Sequence, residues 1–105
     1  MKIYHVYIVT NFSKTVLYTG MTNNLTRRLL EHYHNRGKPE TFAGRYYCYN
    51  LIYYEEYSIL PAAMSREIEI KKWRREKKEV LINTFNPGWR FLNSGFIEGW
   101  DDRAE

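Results

Sequence analysis

The stretch KIYHVYIVTNFSKTVLYTG, residues 2–20, decides the fold of this 105-residue chain. Aromatic and β-branched residues dominate residues 2–10 and again residues 15–19, so each segment is predicted to be a strand. The four residues between them, Asn-Phe-Ser-Lys, have the composition of a loop. We therefore predict a β-hairpin in which Thr10 pairs with Thr15.

That register predicts that Tyr7 lies directly opposite Tyr18, on one face of the sheet and within cross-strand contact. A phenol has a pKa of about 10, so it can act as a base only beside a cation or a metal. The two tyrosines are therefore candidates for chemistry. The alternative is that they form an ordinary, half-buried packing pair.

Length and composition limit the class of protein. At roughly 100–200 residues per domain, this chain makes one domain with a modest core. Its hydrophobic fraction of 44% and charged fraction of 27% are those of a folded chain. No apolar stretch approaches the roughly 18 residues of a membrane span, and the start lacks the apolar segment of a signal peptide. The single cysteine, Cys48, excludes an internal disulfide and a cysteine-rich zinc site, so we expect a reducing cytoplasm and no membrane partner.

Charge and aromatic content indicate the kind of partner. Sixteen Lys and Arg against twelve Asp and Glu give a net charge of +4, and 17% of the residues are aromatic, ten of them tyrosine. Cations contact phosphates and aromatic rings stack on bases, so this combination favours a nucleic-acid partner. The alternative is that the charge only keeps a small protein in solution.

A helix is predicted to follow the hairpin. Thr22 or Asn23 can cap it, and it runs to about residue 35. Its apolar stripe recurs every four residues, at Leu25, Leu29 and Tyr33. A polar stripe lies alongside, at Asn24, Arg28 and His32. Arg28 could clamp a phosphate and His32 could donate to it or relay a proton, and the alternative is a solvated helix face.

Three further segments have distinct compositions. Residues 35–45 contain three cations and one anion and are predicted to be a loop. Residues 49–57 are rich in aromatic side chains and are predicted to form a third strand. Residues 94–105 carry four acids and are predicted to be a mobile tail or a short surface segment, after a domain at 1–93.

A long helix is predicted between the third strand and the C-terminal region. Pro61 suits its first turn, and it continues to about residue 83 with a break near residues 74–77, where charges interrupt the pattern. On a helical wheel Glu67 lies between two apolar rows, so it either reaches out to solvent or is held inward for a purpose. Glu69 is predicted to be more solvated.

Four short motifs occur in a fixed order along the chain. They are His5-Val6-Tyr7, Tyr18-Thr19-Gly20, residues 24–32 and Arg66-Glu67. In this order and spacing they resemble the GIY-YIG nuclease domain, over roughly residues 2–92. The resemblance is greatest to the small stand-alone bacterial members, which also share residues 70–73 and 86–89. It implies an α+β fold, with a small central three-stranded antiparallel sheet flanked by helices, and metal-dependent hydrolysis of phosphodiester bonds.

The resemblance also implies roles for particular residues. The catalytic set is Tyr7, Tyr18, Arg28 and His32, and the metal-binding carboxylate is Glu67, with Glu69 in reserve. The implied cofactor is one Mg²⁺ or Mn²⁺, whose shell is completed by water and substrate oxygens. In this hypothesis Tyr18, with Tyr7 beside it, deprotonates or orients the attacking water. Arg28 then neutralises the phosphate, and the metal stabilises the leaving oxygen.

The implied partner is nucleic acid, DNA more than RNA, and DNA repair is the implied setting. Four further cations are predicted to bind it: Arg27, Arg36, Lys38 and Arg45. The chain departs from the family pattern at His5, which stands for a glycine, and at Met21, where some repair members have lysine. Two other functions stay open: a non-catalytic nucleic-acid-binding module on the same fold, and a protein-interaction domain with exposed tyrosines.

Overall fold

A three-stranded antiparallel sheet forms the centre of the protein, as predicted. The computed structural model describes residues 2–103, so the first residue of the predicted domain and the last two of the predicted tail lie outside it. The strands are β1 (Tyr4–Thr10), β2 (Leu17–Thr22) and β3 (Asn50–Tyr57), in the spatial order β2-β1-β3. The helices are α1 (Leu25–His34), α2 (Phe42–Arg45), α3 (Leu60–Lys72) and α4 (Arg75–Phe85). This α+β arrangement confirms the predicted fold class.

Each face of the sheet packs against its own helices. Because side chains alternate along a strand, Val6 and Ile8 of β1 face one side and Tyr7 and Val9 face the other. The first pair packs with buried residues of α3 and α4: Ala63, Ile70 and Ile82. The second pair packs with buried residues of α1 and α2: Leu25, Leu29 and Ala43. Every residue of β1 from Val6 to Thr10 is therefore inaccessible to solvent.

The hairpin register differs from the prediction. Thr10 pairs with Leu17 rather than Thr15, so Tyr7 lies opposite Gly20 and not opposite Tyr18. The prediction of directly opposed tyrosines was therefore wrong. Both rings still share a face, because the shift is by two residues and side chains alternate with a period of two.

The side chain of Asn11 causes this shift. Its Oδ1 accepts hydrogen bonds from the backbone N–H groups of Thr15 and Val16, at 2.9 and 3.0 Å. Lys14 adopts the left-handed conformation, with φ of 61°, and its N–H donates to the Asn11 carbonyl. The connection is consequently six residues long, and β2 begins at Leu17.

The helix boundaries also differ from the predicted ones. Asn24 caps α1 by accepting from the N–H of Arg27, where Thr22 or Asn23 was predicted. The predicted loop at residues 35–45 contains α2, a single turn. The predicted long helix is interrupted as expected, but at Trp73 and Arg74, slightly before most of the predicted break.

The segment after residue 92 lies against the sheet. Asn93 is fully buried, donates from Nδ2 to the carbonyl of Tyr49 and accepts at Oδ1 from the N–H of Leu51. Phe96 and Ile97 pack on the core beneath α1. The division of the chain at residue 93 stays a prediction. No helix within residues 2–103 has the length and apolar character needed to cross a membrane.

Candidate active site

Tyr7 is seated over a glycine of the neighbouring strand. A Cβ placed on Gly20 would lie 2.5 Å from the Tyr7 hydroxyl oxygen and 2.6 Å from its Cζ. Any larger residue on β2 at this position would displace the ring. The Tyr-Thr-Gly motif therefore has a steric basis, because its glycine makes room for the tyrosine of the first motif.

A buried hydrogen bond joins Tyr7 to α1. Its hydroxyl lies 2.7 Å from Nε2 of His32, and both residues are buried. The Tyr18 ring contacts the same imidazole edge-on, with centroids 5.6 Å apart. His32 thus brings the two predicted tyrosines together on one side of the sheet.

Burial sets the charge of this pair. It raises the pKa of Tyr7 well above its usual range, and the nearby Arg28 only partly opposes it. Burial, aided by the charge of Arg28 and opposed by Glu31, lowers the pKa of His32 to about 4. Both groups are therefore uncharged at neutral pH. We assign Tyr7 as the donor and Nε2 as the acceptor, since an uncharged phenol donates its proton and a neutral imidazole can accept at Nε2.

Arg28 lies one turn before His32 and is partly exposed. Its Nη1 donates to Oε1 of Glu31 at 2.9 Å. Burial alone would lower the pKa of Arg28, but the hydrogen bond to Glu31 and the nearby hydroxyls of Tyr7 and Tyr18 outweigh burial. The net result is a pKa above the usual range of arginine. A guanidinium has five N–H donors, so Arg28 keeps donors for an anion in front of the tyrosines.

Glu67 reaches this group from α3. It is 20% exposed, and its Oε2 lies 3.4 Å from the ammonium of Lys71. That ammonium in turn lies 5.9 Å from the centre of the Tyr18 ring, which places the ion pair at the edge of β2. Glu69 is 54% exposed and pairs with Arg66 instead. Of the two candidate carboxylates, Glu67 is the one that is linked to the Tyr18 ring, through Lys71.

The donors present suit a hard cation that keeps much of its water. Within residues 2–103 no group of three or more His, Cys, Asp or Glu could hold a metal. A closed zinc site needs such a group, whereas Mg²⁺ binds through one or two carboxylates with waters and substrate phosphates. Glu67 fits the second case, since it is a single carboxylate facing a site with donors for phosphate.

The other predicted nucleic-acid-binding cations lie on the surface, outside this group. Arg27 is 61% exposed and lies 3.7 Å from Glu31, the carboxylate that also binds Arg28, and Lys38 is exposed. Arg36 covers the Tyr33 ring at 3.8 Å, and Arg45 donates to the carbonyl of Pro39. Their role in binding stays a prediction.

Two site residues escaped the sequence reasoning. Glu31 follows Arg28 by three residues and Lys71 follows Glu67 by four, so helix spacing alone could have indicated both ion pairs. His5, the departure at the first motif, packs edge-on between Tyr54 and Phe96, near Glu56 at 3.4 Å. It therefore lies toward β3 and away from the β2 edge.

Comparison with known families gives one match that covers most of the chain. Residues 3–80 match the model of the GIY-YIG catalytic domain. This range includes the four ordered motifs, from the first strand into the first half of α4, and excludes residues 86–89.

Individual relatives share most of their length with this chain. A UPF0213 protein of Haloquadratum walsbyi is 37% identical over 81 residues, 77% of this chain and 89% of the relative. One of Natronomonas pharaonis is 40% identical, over 75% of this chain and 89% of the relative. The solution NMR structure of a UPF0213 protein from Bacillus halodurans is 26% identical and superposes with a TM-score of 0.54, covering 83% of this chain and 89% of that one. None of these names states an activity.

Proposed function

Since this chain belongs to the GIY-YIG family of catalytic domains, we propose that it is a metal-dependent endonuclease that hydrolyses phosphodiester bonds, in DNA more than in RNA. The observation that carries the proposal is the convergence of Tyr18, Arg28 and Glu67 at the edge of β2. A phenol, a guanidinium with spare donors and a carboxylate are together what phosphodiester hydrolysis needs. A cytoplasmic location and a role in DNA repair are part of the same proposal.

Arg28 is proposed to bind the scissile phosphate. Its guanidinium is held by Glu31 on one side, so the side chain is oriented before the substrate arrives. Negative charge develops on the phosphate oxygens as the attacking oxygen bonds to phosphorus. A fixed cation stabilises that charge more than it stabilises the ground state.

Tyr18 and Tyr7 are proposed to have different roles. Tyr18 is only partly buried, so its hydroxyl can orient the attacking water. Tyr7 is fully buried, its pKa is raised and its proton is shared with His32, which makes it a poor base. We therefore assign Tyr7 and His32 a positioning role. Their hydrogen bond holds the Tyr7 ring over Gly20, and the His32 imidazole packs against the Tyr18 ring.

Glu67 would hold the divalent ion, Mg²⁺ or Mn²⁺. When bound, such an ion polarises a phosphate oxygen and stabilises the leaving oxygen. Lys71 neutralises the same carboxylate at 3.4 Å, so binding the ion requires this lysine to move aside.

The proposal is tested by comparing Glu67→Gln with Glu69→Gln. Both remove one charge from α3, but only Glu67 is linked through Lys71 to Tyr18, whereas Glu69 pairs with Arg66. We expect the first variant to lose Mg²⁺-dependent cleavage of plasmid and oligonucleotide substrates while it keeps nucleic-acid binding. Glu69→Gln should cleave as the wild type does. Equal activity in both variants would show that Glu67 holds no catalytic ion.

A second function is favoured by the same ion pair. The Lys71 ammonium already occupies the cation position beside Glu67, which suits a module that binds nucleic acid without cleaving it. In that case no divalent ion should produce cleavage in the wild type, although salt-dependent binding to nucleic acid persists.

A further inference from the structure

A half-exposed phenylalanine lies beside the candidate catalytic tyrosine. Phe42, the first residue of α2, is 50% exposed. Its ring stacks on that of Tyr18, with centroids 6.3 Å and planes 26° apart. Tyr46, itself 42% exposed, contacts the same ring at 4.9 Å. An aromatic surface therefore leads outward from Tyr18.

The helix α2 holds this ring in place. Thr41 caps it, with its Oγ1 accepting from the N–H of Gly44 at 3.0 Å. A Cβ on Gly44 would lie 2.6 Å from two backbone carbonyl oxygens, so this turn is pressed against the preceding loop. Ala43 is buried in the core. The backbone at Phe42 is consequently held by a packed turn, while its ring stays half exposed.

A depression of about 250 Å³ opens between Phe42 and the start of α4. It is lined by Thr15, Val16, Leu17, Phe42, Arg75 and Lys78. Arg75 is engaged, since it donates to the carbonyls of Lys14 and Thr15 and pairs with Glu79. Lys78 has no ion pair with any residue of the described range 2–103. The depression therefore offers an open aromatic ring together with an unneutralised ammonium.

We propose that this depression binds one unpaired nucleobase of the substrate, stacked on Phe42, while the Lys78 ammonium binds the adjoining phosphate. This inference rests on the proposed nuclease function and names its substrate class. That class is nucleic acid whose bases are unpaired next to the cleaved bond: a single strand, a loop or a flap.

The stacking surface selects against a continuous duplex. In a duplex each base is covered on both faces by its neighbours, so a protein ring can stack only on a base that has left the helix. A single strand offers such bases at little cost, and stacking on aromatic side chains tolerates any base. Arg28 and Lys78 act on phosphates, which both forms carry, so the ring of Phe42 makes the distinction.

Binding without cleavage tests the inference directly. The full chain is mixed with a short fluorescein-labelled strand, alone or in a blunt duplex, in chelator and at fixed salt, and its affinity is measured by anisotropy. The single strand should bind more tightly than the duplex. Phe42→Ala should lose about 5- to 150-fold on the single strand and change duplex binding less than twofold. Phe42→Trp should retain the preference, and thermal unfolding checks that each variant folds.

Two further variants separate the ring from the charge. Phe12→Ala removes another exposed aromatic, 44% exposed but in contact with Phe91, and should leave the preference intact. Lys78→Met should reduce the slope of log affinity against log salt by about 0.7 on a single strand. An unchanged slope would remove Lys78 from the phosphate site.

The outcomes distinguish this inference from the proposed function. Equal wild-type affinity for both forms, or an equal loss on both in Phe42→Ala, would overturn the stacking site even if Mg²⁺-dependent cleavage is observed. A preference for single strands that depends on Phe42 would support the site even if the wild type cleaves nothing, in which case the proposed hydrolysis fails alone.

Discussion

The two faces of the sheet carry the same residue types in two different states. On the α3 side, Glu55 accepts hydrogen bonds from Tyr53, Tyr57 and both Nε and Nη2 of Arg66. On the α1 side, Arg28 donates to Glu31 and keeps further donors. Glu67 belongs to α3 but faces this group from the edge of β2, with a lysine partner at 3.4 Å. The first cluster is closed, and the second is open toward solvent at the edge of β2.

This contrast shows that residue type alone does not identify a site. Arg66 has two carboxylate partners and lies within 5.1 Å of the Trp73 ring, so little of its binding capacity is left for a ligand. The bonds from Arg66 and the tyrosines outweigh burial and lower the pKa of Glu55, which keeps it ionised and paired. We regard this cluster as structural and the open one as functional.

The largest expected effect is a difference in cleavage rate between substitutions of Arg28 and of Arg27. Arg28→Ala should lower the cleavage rate by about 10²- to 10³-fold, because it removes the fixed cation that stabilises the phosphate. Arg27→Ala removes a more exposed neighbouring charge whose contact with Glu31 is longer, 3.7 Å against 2.9 Å, and should cleave nearly as the wild type does. Comparable rates in the two variants, measured on the same substrate, would contradict the map of the open cluster.

The buried imidazole should make stability depend on pH. Folding lowers the pKa of His32 from about 6.5 to about 4, so its stabilising contribution is present above pH 6.5 and is lost as the pH falls toward 4. His32→Gln keeps an acceptor for Tyr7 but does not titrate. Relative to this variant, the wild type should lose about 3 kcal/mol of unfolding free energy between pH 7 and 4.

Denaturant unfolding at several pH values measures this difference. His34→Gln removes an exposed imidazole from the same helix and serves as the control. A difference between wild type and His32→Gln that stays constant with pH would show that His32 is not held neutral by burial.

The closed cluster should be tested by stability rather than activity. Arg66→Met leaves the largely buried Glu55 without its cation and should cost about 2 kcal/mol of unfolding free energy. Cleavage per folded molecule should stay within a few fold of the wild type. Lys72→Met, on an exposed position of α3, is the control. A large loss of cleavage at unchanged stability would make Arg66 part of the site.

The smallest expected effect concerns the ion pair on α3. Lys71→Met removes the cation that competes for Glu67, so Mn²⁺ should bind the protein alone about two- to fivefold more tightly. Isothermal titration or electron paramagnetic resonance of Mn²⁺ measures this without any substrate, with Lys72→Met again as control. Weaker Mn²⁺ binding in Lys71→Met would show that the two cations do not share one site.

Much of the site could be predicted because helix and strand periods assign faces. The alternation of side chains placed Tyr7 and Tyr18 on one face even though the pairing was wrong by two residues. The spacing of four placed Arg28 and His32 on one side of α1. The wheel for α3 was less decisive, since it left open whether Glu67 reaches out to solvent or is held inward. Only the tertiary structure shows that Glu67 pairs with Lys71, whose ammonium lies over the Tyr18 ring.

The sequence by itself determined the three strands and the helices other than the single turn α2. It also determined the shared face of Tyr7 and Tyr18, that of Arg28 and His32, and the family to which the chain belongs, because these depend on local composition, periodicity and motif order. Only the tertiary structure decided the strand register, which a single asparagine side chain sets through the backbone of the loop. It also decided that His32 is neutral and that Phe42 lies against Tyr18. Burial and ring contacts arise between residues that are distant along the chain, and no local pattern records them.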